Sequence, residues 1–334
     1  MDFALTADER LLQHEVRSML EHECGTEVIR GAEPLGFDRR LWAQFSAMGL
    51  TSVAIPEVAG GSGSFMDAAV VVDESGRALA PVPLVEHLVT RRLLAHVRSE
   101  LPFRAGGEEV EPVVSLALLP AIDKMWPLVP AGAVAEYVVG QVQDQYWLDS
   151  STPPPLSANQ SSSPLADRAV AGDAQQLDID PLWWDQALDE WRALTASLLV
   201  GLAGRALELG VAYAKEREQF GRPIGAFQTI QHLLADLAVS VDGARLLAGK
   251  AAWACEHATP RRRELSYMAF VFAAETAKRV TERVLHVHGG YGMMQEYDIQ
   301  LYYRRARGWS LVAGDPERQC QELADVLFGT RSAA

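Results

Sequence analysis

The sequence predicts a mainly α-helical protein with a small β domain in its middle, and two observations support this prediction. The segment 188–228 is rich in Leu, Ala and Val and has almost no charge between Arg192 and Glu208, as expected of a helix buried on several sides. Between about 101 and 180 the sequence pattern changes to short β-like runs and a Pro/Ser-rich tract. We therefore expect an N-terminal helical domain over 1–105, a reduced β domain over 106–180 and a C-terminal four-helix bundle over 181–334.

The composition excludes several classes of partner. The 334 residues carry a formal net charge of −14, which argues against nucleic acid and anionic membranes because both require clustered Lys and Arg. We identify no apolar run long enough to cross a bilayer and no signal peptide in MDFALTADER, so we expect a cytoplasmic protein. The cysteines Cys24, Cys255 and Cys320 are widely spaced, which fits reduced thiols and predicts no metal site.

The N-terminal region reads as a series of helices. Thr6 and Glu9 form a capping box before apolar residues at helical spacing, and a second helix is expected over about 39–48. The Gly-rich loop 56–63 could be mistaken for a phosphate cradle, but no strand and helix flank it, so we interpret it as a tight turn. Further helices are predicted over 66–79 and 84–97, separated by a proline-containing break.

The middle and C-terminal regions differ in pattern. Strands are predicted over 113–119 and 137–142, and the tract 151–176 reads as loop with little to bury. Trp147 is interpreted as a packing residue. Apolar residues recur at helical spacing over 230–241, another helix begins near 261–264, and the last helix, over about 316–327, follows an N-cap at Asp315.

The end of the long apolar helix is a candidate ligand site. Charged residues crowd together over 215–218, Phe220-Gly221 is expected to stop the helix, and Pro223 prevents its resumption. This stretch, REQFGRPIGAFQ, and the later HVHGGYG resemble the acyl-CoA dehydrogenase family, of the actinobacterial type and in particular the shortened subunit of heteromeric enzymes. The resemblance implies FAD-dependent α,β-dehydrogenation of a CoA thioester, with electron-transfer flavoprotein as the acceptor.

The resemblance also implies which residues contact the cofactor. They are Arg217, Phe220, Gly221, Gln228, His286, Gly289 and Gly290, with His286 standing where a glutamine is common. In the family these groups reach across a subunit interface to the FAD of a neighbouring chain. Arg217 alone would be read as a dipole partner or surface ion pair at a helix end, but the joint pattern favours the cofactor role.

The resemblance places Asp189 and Arg192 in the substrate cleft, and a first-turn ion pair is an equal alternative. The catalytic base, normally a glutamate, is missing from both of its known positions, which are occupied here by Ala313 and Trp191. Glu190 and Asp315 lie nearby, but one residue turns a helical side chain by roughly 100°, so Glu190 is expected to point elsewhere. Trp183, Trp184 and Trp191 are expected to pack together, and they could shape or block an acyl pocket.

These features favour a subunit that lacks its own base and completes the FAD site of a homologous full-length partner, in a heterotetramer acting on a bulky substrate such as a steroid side-chain CoA ester. One alternative is a self-sufficient homo-oligomeric flavoenzyme that uses Glu190 or Asp315. Another is a non-enzymatic CoA-binding or scaffold protein of the same fold.

Overall fold

The computed structural model describes residues 4–97 and 110–329. The predicted fold class is confirmed: helices predominate and a few strands lie in the middle of the chain. The predicted boundary at 105/106 lies outside the described residues, and the division into three domains stays a prediction.

The N-terminal helices form where the pattern places them. Thr6 and Glu9 make the predicted capping box, with Glu9 N donating to Thr6 Oγ1 at 3.2 Å and Thr6 N donating to Glu9 Oε2 at 2.7 Å. The short α2 was missed because six residues give no helical period. The helices are α1 (Ala7–Glu23), α2 (Thr26–Gly31), α3 (Arg39–Ala47), α4 (Phe65–Arg77) and α5 (Leu84–Ala95).

The middle region contains two small sheets. One has the order β1-β3-β4-β6, in which β1 and β3 are parallel and the other pairs are antiparallel; the second pairs β2 with β5. Trp147 is half-buried on β4 against the core, which confirms its interpretation as a packing residue. The strands are β1 (Val114–Leu116), β2 (Met125–Val129), β3 (Tyr137–Val142), β4 (Gln145–Asp149), β5 (Ala166–Ala169) and β6 (Gln175–Leu177).

The prediction that the Pro/Ser-rich tract is loop with little to bury was wrong in two respects. It contains β5 and the start of β6, and Ser161, Ser162 and Ser163 are buried. A Cβ on Gly36 would lie 1.8 Å from the Ser162 carbonyl oxygen, and a Cβ on Gly308 would lie 1.9 Å from Ser161 Cβ. The tract can therefore pack between the N- and C-terminal helices only because two glycines distant in sequence leave space for it.

The C-terminal region is a helical bundle built around α6. This helix packs against α4, α7 and α8. It begins at Pro181, earlier than predicted, because Asp180 caps it by accepting a hydrogen bond from Leu182 N at 2.9 Å. The elements are α6 (Pro181–Glu216), β7 (Glu218–Gln219), β8 (Arg222–Pro223), α7 (Gln228–Glu256), α8 (Arg262–His288), α9 (Ile299–Trp309) and α10 (Pro316–Phe328).

One expectation about α6 requires correction. By length and composition this helix could cross a membrane, whereas the sequence analysis identified no such run. Most of its apolar window is buried inside the protein, however, and a Cβ on Gly201 would lie 1.8 Å from the carbonyl oxygen of Asp73 on α4. The apolar character of α6 thus reflects its place at the centre of the bundle.

Candidate functional site

A two-residue hairpin follows α6. The helix ends at Glu216, four residues before the predicted stop, and Arg217 is its C-cap. Phe220 and Gly221 have φ values of +55° and +75°, as a two-residue hairpin turn of the I′ type requires. The Phe220 side chain is 94% exposed. Its backbone is strained, because a bulky residue at positive φ is disfavoured.

The structure brings the two sequence motifs together. The rings of Tyr213, on α6, and His288, at the end of α8, stack with centroids 4.1 Å apart. The Arg217 guanidinium lies 5.3 Å from the centroid of the Tyr291 ring, within cation–π range. Arg217 and the HGGYG segment therefore form one surface, at which a half-buried cation lies beside exposed backbone.

The glycines of HGGYG leave this surface open. Gly289 has φ +62° and ψ −140°, a conformation that essentially only glycine adopts, and a Cβ on Gly289 or Gly290 would meet nothing within 4 Å. His286 is exposed and lines a cavity of about 280 Å³ together with Arg283 and Arg307. Gln228 is exposed at the start of α7, on the far side of the hairpin. Of the predicted cofactor residues, Arg217 and the HGGYG segment thus meet at a solvent-facing surface, and Gln228 and His286 are exposed beside it.

A separate cleft of about 620 Å³ lies between α6, α8 and α10. Ala313 faces it, so a methyl group occupies the position at which the resemblance expects the base. Glu322 also lines the cleft, but its carboxylate accepts hydrogen bonds from Tyr267 Oη at 3.1 Å and Arg318 Nε at 2.9 Å. Sequence reasoning missed Tyr267 and Glu322, and no motif marks them, because they come from helices distant in the chain.

Asp189 and Arg192 form an ion pair at 3.3 Å, in the third turn of α6 and not in the first as one reading expected. Asp189 also accepts from Arg262 Nε at 3.2 Å, and Arg192 donates to Tyr267 Oη at 2.7 Å. Burial raises the pKa of Asp189 and lowers the pKa of Arg192. Arg192 lines the cleft, so its substrate role stays a prediction alongside its structural one.

The remaining candidates for the base do not reach the cleft. Glu190 is buried and pairs with Arg92, which confirms that it points away, and Asp315 is exposed. Trp191 is buried against Phe270 and lines the cleft, while Trp184 packs on Tyr146. Trp183 stacks on His96 with centroids 3.8 Å apart, so each tryptophan packs on a different aromatic ring and the predicted tryptophan cluster is wrong.

The two surfaces differ in how well they fit a flavin dinucleotide. At the hairpin, Arg217 and the uncovered backbone of Gly289 and Gly290 match phosphate oxygens and a close approach of ligand to main chain. In the cleft, the loop after β1 presents Leu118-Leu119-Pro120, whose side chains offer no hydrogen bond to a flavin ring. The residues at the hairpin therefore fit the cofactor, whereas the loop after β1 offers it no side-chain hydrogen bond and the polar side chains of the cleft come from α6, α8 and α10. Across 4–97 and 110–329, no group of three or more His, Cys, Asp or Glu is placed to hold a metal.

Comparison with known proteins shows which family this chain belongs to. The family model described as "Acyl-CoA dehydrogenase, N-terminal domain" matches residues 6–99, and that described as "Acyl-CoA dehydrogenase, C-terminal domain" matches residues 183–328. The chain therefore belongs to the acyl-CoA dehydrogenase family, which confirms the resemblance read from REQFG and HGGYG. The family fold implies FAD as the cofactor and an oxidoreductase activity.

One relative and two solved structures are similar to nearly the whole chain. The chain is 33% identical over 334 residues to acyl-CoA dehydrogenase IpdE2 of Mycolicibacterium smegmatis, covering 97% of this chain and 100% of that protein. Among solved structures, the ChsE4-ChsE5 complex from Mycobacterium tuberculosis matches with a TM-score of 0.88 and 25% identity, over 99% of this chain and 100% of that one. The Tcur3481-Tcur3483 steroid acyl-CoA dehydrogenase (G363A variant) matches with a TM-score of 0.84 and 26% identity, over 96% and 97%.

Proposed function

We propose that this chain is the subunit of a heteromeric acyl-CoA dehydrogenase that lacks the base and completes the FAD site of a homologous full-length partner. The proposal rests on a combination of two features: the expected position of the base in the cleft holds no carboxylate, and the predicted cofactor-binding motifs form an exposed surface. Ala313 leaves the expected position of the base without a carboxylate, and Arg217, Phe220 and the HGGYG segment lie together on the surface.

The hairpin supports a role toward a second molecule. Phe220 is 94% exposed at positive φ and, among the described residues, its ring contacts only the edge of Phe227, with centroids 6.1 Å apart, so most of its surface is available to a binding partner. Arg217 would bind the pyrophosphate of the partner's FAD, and Gly289 would let the adenosine side approach main chain. Gln228 and His286 would add hydrogen bonds at the same edge.

The chemistry then divides between the two subunits. The bound FAD would supply the acceptor for the hydride that leaves the β carbon of the thioester. The α proton requires a carboxylate, and Ala313 stands where the resemblance expects it, while Glu322 in the same cleft is engaged by Tyr267 and Arg318, so we propose that the partner supplies the glutamate. This chain's contribution is to bind and orient the cofactor through the hairpin edge.

The substrate class follows from the family and its relatives. An acyl-CoA thioester is the family substrate, and the printed description of one structural relative as a steroid acyl-CoA dehydrogenase supports a bulky acyl group such as a steroid side chain. The complex from Mycobacterium tuberculosis, named for two different proteins, supports a heterotetramer. We further propose electron-transfer flavoprotein as the acceptor and the cytoplasm as the location.

Co-expression tests the proposal. The chain is purified alone and together with a full-length homologue from the same organism that has a glutamate before the glycine in the loop preceding its last helix, and the flavin absorbance of each preparation is recorded. We expect a colourless lone chain and a yellow, active complex. Arg217→Ala should lower FAD occupancy of the complex while both subunits stay folded. Arg40→Ala removes another exposed arginine, far from the hairpin, and should leave occupancy unchanged.

Each alternative has its own outcome. Tight flavin and acyl-CoA turnover by the lone chain would establish a self-sufficient enzyme, and loss of turnover in a folded Glu190→Gln or Asp315→Asn variant would identify its base. A colourless, inactive product in both preparations would favour a non-enzymatic CoA-binding or scaffold protein. Equal FAD occupancy in the Arg217→Ala and Arg40→Ala complexes would return Arg217 to a surface ion pair.

A further inference from the structure

Arg217 presents its charge without a counter-ion from its own chain. Within the described ranges 4–97 and 110–329, no carboxylate lies at ion-pair distance from its guanidinium, although Glu216 and Glu218 flank it in sequence. Arginines elsewhere in the helices are paired, as Arg77 is with Glu208. The main chain of Arg217 is nevertheless fixed, since its N–H donates to the Tyr213 carbonyl at 2.8 Å and its carbonyl accepts from Ile224 N at 2.7 Å.

The Arg217 side chain lies instead over an aromatic ring. Its guanidinium carbon is 5.3 Å from the centroid of the Tyr291 ring, and the Tyr291 side chain is 43% exposed. The Tyr291 hydroxyl makes no hydrogen bond to any described residue, so the contact depends on the ring alone. A cation over the face of an aromatic ring is attracted to it but keeps its full charge.

A close approach of backbone to α8 places Tyr291. The residue belongs to a single turn of 3₁₀ helix, Gly289–Met293, that follows α8 directly. Within this turn Gly292 is buried, and a Cβ on it would lie 2.7 Å from the Leu285 carbonyl oxygen. The turn can therefore fold back onto the end of α8 only because this residue has no side chain.

Three further rings hold Tyr291 in place from behind. The Tyr291 and Tyr297 rings have centroids 5.9 Å apart, and Tyr297 also lies edge-on to His288 at 5.9 Å and to Tyr213 at 6.0 Å. His288 is buried, and its Nδ1 lies 2.8 Å from the Val284 carbonyl oxygen. Burial lowers the pKa of His288, which favours the neutral imidazole, so the cluster adds no charge of its own.

We infer that Tyr291 is a positioning residue for Arg217. Its ring holds the guanidinium beside the open backbone of Gly289 and Gly290 and leaves the positive charge available to a phosphate, whereas a carboxylate in its place would neutralise that charge. The identity of the phosphate, the pyrophosphate of a partner's FAD, rests on the proposed function. The contact between the arginine and the ring does not, and it can be measured on the lone chain.

The FAD dissociation constant of the co-expressed complex, stripped of flavin and titrated with FAD, tests the inference. Tyr291→Leu should weaken FAD binding about two- to fivefold, as expected for loss of an exposed cation–π contact, and Tyr291→Phe should bind FAD as the wild type does. In the Arg217→Ala background Tyr291→Leu should have no further effect, because the cation that the ring holds is gone. Phe272→Leu is the control, since Phe272 is also 43% exposed but lies about four turns before the end of α8.

A second measurement uses the lone chain with isotope-labelled arginine. The Nε–H resonance of Arg217, identified by its absence in Arg217→Ala, should be displaced upfield by the ring current of Tyr291. This displacement should persist in Tyr291→Phe and disappear in Tyr291→Leu.

Two results would overturn the inference: a Tyr291→Leu effect on FAD that persists in Arg217→Ala, or an Arg217 resonance that does not respond to Tyr291→Leu. The first would show that Tyr291 acts on the shape of the turn and not through Arg217. An FAD dissociation constant that Arg217→Ala leaves unchanged would contradict the proposed function instead, and the lone-chain spectrum would then decide whether Tyr291 holds Arg217.

Discussion

Arg92 and Glu190 form a two-point ion pair that joins α5 to α6. Arg92 Nε lies 2.9 Å from Glu190 Oε2, and Nη2 lies 3.1 Å from Oε1. Arg92 also donates to the Ala54 carbonyl and lies over the Phe65 ring, while Gln186 donates to Glu190 at 2.9 Å. The carboxylate nearest in sequence to a known position of the base is therefore fully engaged as a structural group.

We expect Glu190→Gln to destabilise the fold and to have no specific effect on chemistry. The change leaves the Arg92 cation, which is only 17% exposed, without its counter-charge, at a cost of about 3 kcal/mol. Urea denaturation of the lone chain measures this cost. In a double-mutant cycle, Arg92→Gln with Glu190→Gln should cost less than the sum of the single changes, and additive costs would contradict the pairing.

Phe220→Asn should affect assembly and leave the stability of the lone chain nearly unchanged. Asparagine tolerates positive φ, and the phenylalanine ring is exposed, so the free energy of unfolding should change by less than about 0.5 kcal/mol. The complex should lose flavin and bind the partner more weakly, as shown by flavin absorbance and titration. Val58→Asn is the control, because Val58 is 96% exposed but lies in the N-terminal loop. Matching losses in both variants would contradict a specific role.

The sequence predicted those parts of the fold that local pattern determines. The capping box at Thr6, the strand over 137–142 and the helices with an apolar stripe appear where expected, because amphipathic spacing and caps are local properties. The helix α9, which packs against α8 and α6, was not predicted, although its buried residues Leu301, Tyr302, Arg305 and Ala306 recur at helical spacing.

The site was predictable only in part, for a physical reason. REQFG and HGGYG could be recognised separately, but their meeting depends on Tyr213 stacking on His288, a contact across 75 residues. The burial of Ser161–Ser163 depends likewise on Gly36 and Gly308, whose small size has no local signature. Side chains such as Tyr267 and Glu322 enter the cleft from separate helices, and no single-sequence period encodes that convergence.

Restoring a carboxylate at the predicted position should not restore activity to the lone chain. Ala313→Glu places an acid at the cleft, but under the proposed function this chain completes a partner's FAD site and holds no flavin alone, so the protein should remain colourless and inactive. The measurement is flavin absorbance with an acyl-CoA turnover assay. Ala313→Gln controls for the added volume. Turnover by Ala313→Glu alone, with Ala313→Gln inactive, would show that the base is the sole missing part.

The stability of the protein should fall as pH rises through the titration of Asp73. Burial raises the pKa of this carboxyl, on α4, from 3.8 to about 6, although Arg245 lies 3.8 Å away and opposes the shift. The folded state thus holds the proton more tightly than the unfolded state. The resulting stabilisation is present below about pH 4 and is lost between about pH 4 and 6.

Asp73→Asn removes this titration and should therefore raise the free energy of unfolding at pH 7 by roughly 1–2 kcal/mol, with the gain vanishing toward pH 4. Urea denaturation of the wild-type and variant chains at a series of pH values measures the difference. Asp242→Asn, an exposed change on α7, should leave the pH dependence as it is in the wild type. Parallel curves for Asp73→Asn and the wild type would contradict the prediction, because they would show that the pKa of Asp73 is the same in the folded and unfolded states.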